Sequence, residues 1–317
     1  MQLQTKIPLS KSNNQIDYDS KVLLIGSCFV ENIGNKLSYF KFRSVQNPFG
    51  ILFNPVVIEN LIANAVGDVQ YTSDDVFQYN ELWHSFDAHS GLSSLKKEEL
   101  LNGLNAGLGQ TRDQLTNASH VILTLGTAWV YQLKQTNHIV ANCHKIPQQE
   151  FDKKLLSVSE ILSSLQTVVQ LIHHLNQKAV VLFTVSPVRH LKDGFVENTR
   201  SKSHLVAAIH ELIHRSPQNN LNYFPSYELM MDELRDYRFY TEDMIHPNKL
   251  AIDYIWEKFQ QVWIDENASA TMKKVESVQK GLAHRSFNES SDASMRFKAK
   301  LQSDIGVLVQ QYPHMQF

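Results

Sequence analysis

The chain has 317 residues, 43% of them hydrophobic and 20% charged, enough to bury one large core or two small ones. Its formal net charge is −2, from 30 Lys+Arg against 32 Asp+Glu, which gives no electrostatic case for nucleic acid or an anionic membrane as partner. Two cysteines, Cys28 and Cys143, are too few for a disulfide framework or a cysteine zinc site, whereas fourteen His supply acid–base capacity near neutral pH.

Met1 to Ser20 is polar and lacks the apolar core of a signal peptide. No apolar run approaches the ~20 residues of a membrane helix, so a soluble cytoplasmic protein is expected. Lys21 to Ile25 reads as a strand, Gly26 as a sharp turn, and Glu31 to Leu37 as a helix. A strand, a glycine turn and a helix in that order present a nucleophile at the C-terminal edge of a parallel sheet. The turn carries two candidates side by side, Ser27 and Cys28.

Asn47-Pro48-Phe49-Gly50 reads as a loop and Pro55 to Ala65 as a helix. Trp83-His84-Ser85-Phe86-Asp87-Ala88-His89 is dense in aromatic and titratable groups; it suits a substrate platform and, equally, loop packing on the core. Leu95 to Leu115 has the leucine spacing of a helix. Val121–Leu125 and Val180–Val185 are apolar throughout, as strands covered on both faces are. Between them, Trp129 to Leu133 and His138 to Asn142 form an inserted β-hairpin around Gln135-Thr136-Asn137. Leu156 to Leu175 is a helix capped by Ser157 or Ser159.

Ser186 to Leu191 falls at a strand end, where α/β proteins bind ligands. Arg189 in it can clamp an anionic group or serve a structural ion pair. Ser203 to His214 and Lys249 to Trp263 are further helices, with a short last strand at Asn222 to Pro225. Strand alternating with helix gives a doubly wound parallel sheet. From about Asn267 the chain reads as one or two amphipathic helices, attached to the core or to a second subunit, so a C-terminal extension at 266–317 and a homodimer through it are expected.

Asp243-Met244-Ile245-His246-Pro247 precedes the Lys249 helix. An Asp three residues ahead of a His can fix its tautomer and stabilise the imidazolium. Taken alone this spacing is common, and a loop His beside a capping acid is the plain alternative. Cys143-His144 has no further ligands at metal spacing, so no metal or cofactor is expected; His144 is instead expected to line the pocket.

Leu24-Ile25-Gly26-Ser27-Cys28-Phe29-Val30 resembles the signature of the GSCFA-domain family, with Val30 where the family name has Ala. Asn47 to Pro55, Leu125 to Tyr131, Asn142 to Pro147 and Asp243 to Pro247 resemble further blocks of it, over roughly residues 20–260. The resemblance implies an SGNH/GDSL-like hydrolase domain at 1–265 with a flavodoxin-like α/β/α fold. It also implies a nucleophile in the first block, Cys28 if aligned on the glycine and Ser27 if shifted by one. A thiol opening a helix is favoured by the helix N-terminus and by pairing with His246.

By the same resemblance Gly50 supplies an oxyanion N–H, and Gly126 opens the third block. There the usual Asn donor is replaced by Ala128. A missing donor costs about 2.7–4 kcal/mol of transition-state stabilisation. Asn47, Thr127 and Asn142 are candidates to replace it. The implied activity is an esterase or deacylase, of small O-acyl groups on glycans, with Cys28, His246 and Asp243 as triad. An O-acyltransferase or a non-catalytic binding protein on the same fold stands beside it.

Overall fold

The computed structural model describes residues 5–217, 220–285, 288 and 291–317; the start of the polar N-terminal stretch (1–4) and positions 286, 287, 289 and 290 of the expected extension lie outside the described residues. Alternate residues of the first strand, β1 (Lys21–Gly26), go to opposite faces: Leu23 and Ile25 join one core cluster, Val22 and Leu24 the other. Such a strand is stable only when helices cover both faces. The chain continues through α1 (Cys28–Tyr39), edge strand β2 (Arg43–Gln46) and α2 (Pro55–Val66). A small hairpin follows, β3 (Phe77–Tyr79) and β4 (Leu82–His84), turned by Asn80 and Glu81, both at positive φ.

Next come α3 (Lys97–Asn117) and the central strand β5 (His120–Leu125). Then β6 (Trp129–Leu133), β7 (Ile139–Val140) and β8 (Phe151–Leu155) form an antiparallel sheet of their own, in the order β7-β6-β8. The expected insertion is therefore a hairpin plus a third strand. The alternation of β8 is masked by its exposed Asp152-Lys153-Lys154.

After α4 (Val158–Leu175), with a Ser157/Glu160 capping box, come β9 (Val180–Val185), α5 (Phe195–Arg215), β10 (Leu221–Phe224) and a helical turn α6 (Ser226–Glu228). The chain closes with α7 (Lys249–Trp263), α8 (Ala268–Ala283) and α9 (Asp292–Gln311). No helix among the described residues is long and apolar enough to cross a membrane.

The main sheet runs β10-β9-β5-β1-β2 with every pair parallel. This is the doubly wound, flavodoxin-like arrangement. The chain builds outward from β1 to β2, then returns to β5 and builds the other way. Beyond the carboxyl ends of β1 and β5 the loops therefore diverge and leave a crevice. One face of the sheet is covered by α2 to α5, the other by α1, α7 and α8. Fully buried Phe29, Phe183 and Phe259 contribute about 1.5–3 kcal/mol each before the entropy of ordering them. Met272, Val275 and Val278 of α8 pack into the same cluster as Phe29 and Trp256, so this helix seats on the main core.

Candidate functional site

The turn after β1 is pinned on three sides. Gly26 N–H donates to Asn47 Oδ1 at 2.9 Å, Gly26 O accepts from Leu52 N at 3.0 Å, and Ser27 N–H donates to Thr124 O at 3.0 Å. Gly26 has φ +147°, and a Cβ there would stand 2.2 Å from Thr124 O, so only glycine fits. The two candidate nucleophiles part company at this elbow. Ser27 is fully buried against Gly126, and its Oγ has no hydrogen-bond partner. Cys28, the first residue of α1, is half-buried and lines a cleft of about 560 Å³ at the crevice.

His246 lines the same cleft. It is held in a tight turn in which Thr241 N–H donates to His246 O at 2.8 Å and Met244 takes φ +57°. Asp243 Oδ2 sits 2.6 Å from His246 Nδ1, while Oδ1 accepts from Thr241 Oγ1 and from the amides of Ile245 and His246. These donors hold the Asp243 carboxyl well below the usual carboxylate range. With Nδ1 turned to Asp243, His246 offers Nε2 for proton transfer.

Arg189 lines the cleft and also braces this turn: its guanidinium donates to Tyr240 Oη at 2.6 Å and lies 4.3 Å from the centre of that ring. The partners of the Arg189 guanidinium are thus the aromatic side chains Tyr240 and Tyr237, in place of the structural ion pair the sequence allowed.

The expected oxyanion donors divide. Gly50 N–H donates to Asn47 O at 2.8 Å, and the Gly126 and Thr127 amides both donate to Phe53 O. Asn47 spends its Oδ1 on Gly26, and its buried Nδ2 has no partner. Gly50, Asn47 and Gly126 therefore build the elbow and do not line the cleft. The two glycine amides are spent in turns because a backbone N–H close to a strand end finds a carbonyl first. Ala128 is buried, and its N–H donates to Ser201 Oγ at 2.7 Å.

Thr127 and Asn142 do line the cleft, as does Asn54, which the sequence did not single out. Asn54 caps α2 by accepting from Val57 N at 3.1 Å, and Asn142 accepts from His144 N at 2.8 Å. In each amide the oxygen is thus occupied, which turns the NH2 group into the free end. Neither Nδ2 has an acceptor among the described residues.

Trp83, His84 and His144 are not in the cleft, contrary to expectation. Trp83 packs on the core below Lys97. His84 is buried between Ser93 Oγ and Tyr79 O, and its ring lies 4.5 Å from that of His144, tilted by 36°. His144 Nε2 bonds Ser85 O at 2.7 Å, and burial pushes its imidazole down to about 4. These groups fasten the inserted sheet to the Ser85–His89 segment, together with Ala141 N–H to Phe86 O at 2.7 Å and His138 Nε2 to Asp87 Oδ1 at 2.7 Å. The cleft's aromatic wall comes instead from Trp129 and Tyr131 of β6, both beneath Lys153, which pairs with the cleft-lining Asp193.

Burial raises the Cys28 thiol, and Glu31 raises it further; Lys202 and the amides of Cys28 and Phe29 pull it down. Cys143 also lines the cleft, and burial pushes its thiol up to about 11. His190 lines it too. Burial, with Lys202 and His246 nearby, pushes this imidazole down to about 3, which keeps it neutral.

Three sequence signals were available for the residues missed. Asn54 immediately precedes Pro55 at a helix start, the place for a capping amide. Trp129 and Tyr131 alternate along one strand face. Lys202 interrupts the apolar stripe Leu205, Ala208, Ile209 and Leu212 of α5.

No curated protein matches the chain. The model of the GSCFA family matches residues 21–259, a span that opens at β1, takes in the Cys28 elbow and the His246 turn, and ends within α7; the chain belongs to the GSCFA family.

Proposed function

We propose that the protein is a thiol-dependent, SGNH-like acyl-ester hydrolase acting through Cys28, His246 and Asp243. The observation that carries this reading is that Cys28 and His246 line one cleft, with His246 oriented by Asp243, while Ser27 is turned into the interior. Cys28 Sγ attacks the ester carbonyl carbon as His246 Nε2 takes the thiol proton. The oxyanion accepts from the Cys28 N–H and from the amide groups of Asn54 and Asn142, which stand in for the donor missing at Ala128. Collapse to a thioester expels an alkoxide, which takes the proton back from His246. His246 then deprotonates water, whose attack releases the acid and restores the thiol. If a sugar hydroxyl replaces water in this second half, the same residues give an acyltransferase.

The Trp129 and Tyr131 wall supports a sugar-borne O-acyl substrate, since aromatic rings stack on the apolar faces of sugars. The test is hydrolysis of p-nitrophenyl acetate. Turnover lost in both Cys28→Ala and His246→Ala is the expected result, and turnover that survives both would sink the proposal.

One observation favours a second reading, a ligand-binding protein with an unreactive thiol: burial and Glu31 both raise the Cys28 thiol. That reading expects no ester turnover and a Cys28 that resists alkylation at neutral pH.

A further inference from the structure

Lys202 lies in the middle of α5, on the stripe that faces the sheet, and is 1% exposed. Lysine is almost never buried so fully without an anionic partner. Among the described residues no carboxylate acts on it; the group that favours its charge is the Cys28 thiol, while the neutral His190 lies nearby. Its Nζ donates to Gly126 O at 2.6 Å and to Ser186 O at 2.7 Å. Gly126 and Ser186 directly follow Leu125 and Val185, the paired ends of β5 and β9. The amine is therefore tied beneath the floor of the cleft, at the sheet edge where the Cys28 elbow stands. Two carbonyls occupy two of an ammonium's three protons, and the third has no acceptor among the described residues.

We infer that Lys202 is the buried counter-charge of the Cys28 thiolate, a positioning residue that supports the nucleophile from beneath while His246 works from the cleft. The inference rests on the reading of Cys28 as nucleophile. Proton accounting is simple: the Cys28 proton leaves to His246, Lys202 keeps its own three, and a neutral ammonium–thiolate pair remains. Burial of either charge alone is unfavourable, which is why burial pushes Lys202 down to about 7 and raises Cys28, and why each partner opposes the other's shift.

The remaining groups around the pair are Glu31 from α1, His190 and His246 from the loops, and the Tyr227 ring 5.8 Å from Lys202 Nζ. Glu31 opposes the thiolate, and His190 stays neutral through the working range, so protonated Lys202 is the buried cation that favours it. A purely structural lysine would hold the two carbonyls equally well without moving the thiol's titration.

The test is the rate of Cys28 alkylation by iodoacetamide between pH 5.5 and 10, read on the Cys28 peptide by mass spectrometry. It is run on the full-length wild type, Lys202→Met and Lys202→Arg, with p-nitrophenyl acetate turnover measured in parallel. Lys202→Met is expected to move the midpoint upward by at least one pH unit, a tenfold loss of thiolate at fixed pH on the lower limb. Lys202→Arg, which keeps the charge, is expected to hold the midpoint at or below the wild-type value. A natively folded Lys202→Met whose midpoint is unmoved overturns the inference. If Lys202→Met does not fold, Lys202→Arg decides, and an upward shift there overturns it. Absent turnover with a midpoint that still follows Lys202 faults the hydrolase reading alone; turnover with an indifferent midpoint faults the role of Lys202 alone.

Discussion

Asp243 holds His246 by two routes at once: Oδ2 lies 2.6 Å from the imidazole Nδ1, and Oδ1 accepts the His246 backbone N–H at 3.0 Å. The carboxylate thus fixes the ring and the turn that carries it. Asp243→Asn is expected to keep the fold and to lower kcat for p-nitrophenyl acetate by roughly 10²–10⁴, because the amide can present its NH2 to Nδ1 and stabilise the wrong tautomer. Steady-state kinetics beside a circular dichroism spectrum check this; kcat within threefold of wild type would count against a triad.

Ser27 and Cys28 give opposite outcomes. Cys28→Ala is expected to abolish turnover and leave stability within about 1 kcal/mol, since the side chain is only half-buried. Ser27→Ala removes a buried hydroxyl that has no partner. It is expected to retain turnover and to leave the unfolding free energy unchanged or raised by about 1 kcal/mol. Urea denaturation of both variants, with activity, makes the comparison; a dead Ser27→Ala would transfer the nucleophile to Ser27.

Asn54 has two separable tasks. Ser at this position keeps an oxygen for the α2 cap but offers no NH2 group to the cleft. Asn54→Ser is expected to melt within a few degrees of wild type while losing about 2.7–4 kcal/mol of transition-state stabilisation, a 10²–10³ fall in kcat. Asn54→Ala adds loss of the cap, about 1 kcal/mol of stability. Full activity in the Ser variant would leave Asn54 as a cap only.

Acid should loosen the wall made by the inserted sheet. Burial pushes His144 down to about 4, whereas in the unfolded chain it takes up a proton near 6.5. Between those values the unfolded state binds more protons, so stability is present above about pH 6.5 and is lost as the pH falls toward 4. The loss is on the order of 3 kcal/mol. His120, also lowered by burial, acts in the same direction. Chemical denaturation at pH 7.5 and pH 4.5 is expected to show a shallower loss in His144→Gln than in wild type; equal slopes would refute the assignment.

The sheet was legible because parallel strands buried on both faces are written as continuous apolar runs, as at Val180–Val185. Edge strand β2, Arg43–Gln46, was not, because its exposed and half-buried residues leave no such run. Local chemistry was legible in the same way: Asp243 and His246 share one turn, so their spacing predicts their contact. Relations across the fold were not. That Trp83 and His84 would close a satellite hairpin instead of the cleft depends on how the Leu82–His84 strand pairs. That Gly50 would spend its N–H on Asn47 depends on a turn geometry with positive φ at both residues. Lys202 was hidden because a lysine within a helix reads as a solvated side chain until its stripe is followed to Leu212.

The elbow at Gly26 carries a consequence for which atom reacts. Its backbone is set by hydrogen bonds to Asn47, Leu52 and Thr124, none of which uses the side chain at position 28. On the proposal that Cys28 is the nucleophile, direction of attack is therefore a property of the main chain, and the reacting element is a separate, exchangeable choice. A hydroxyl at 28 would inherit the thiol's aim, so a Cys28→Ser enzyme would measure what sulfur itself contributes, with placement held constant. Thiol and hydroxyl chemistries become neighbours one atom apart on a single scaffold.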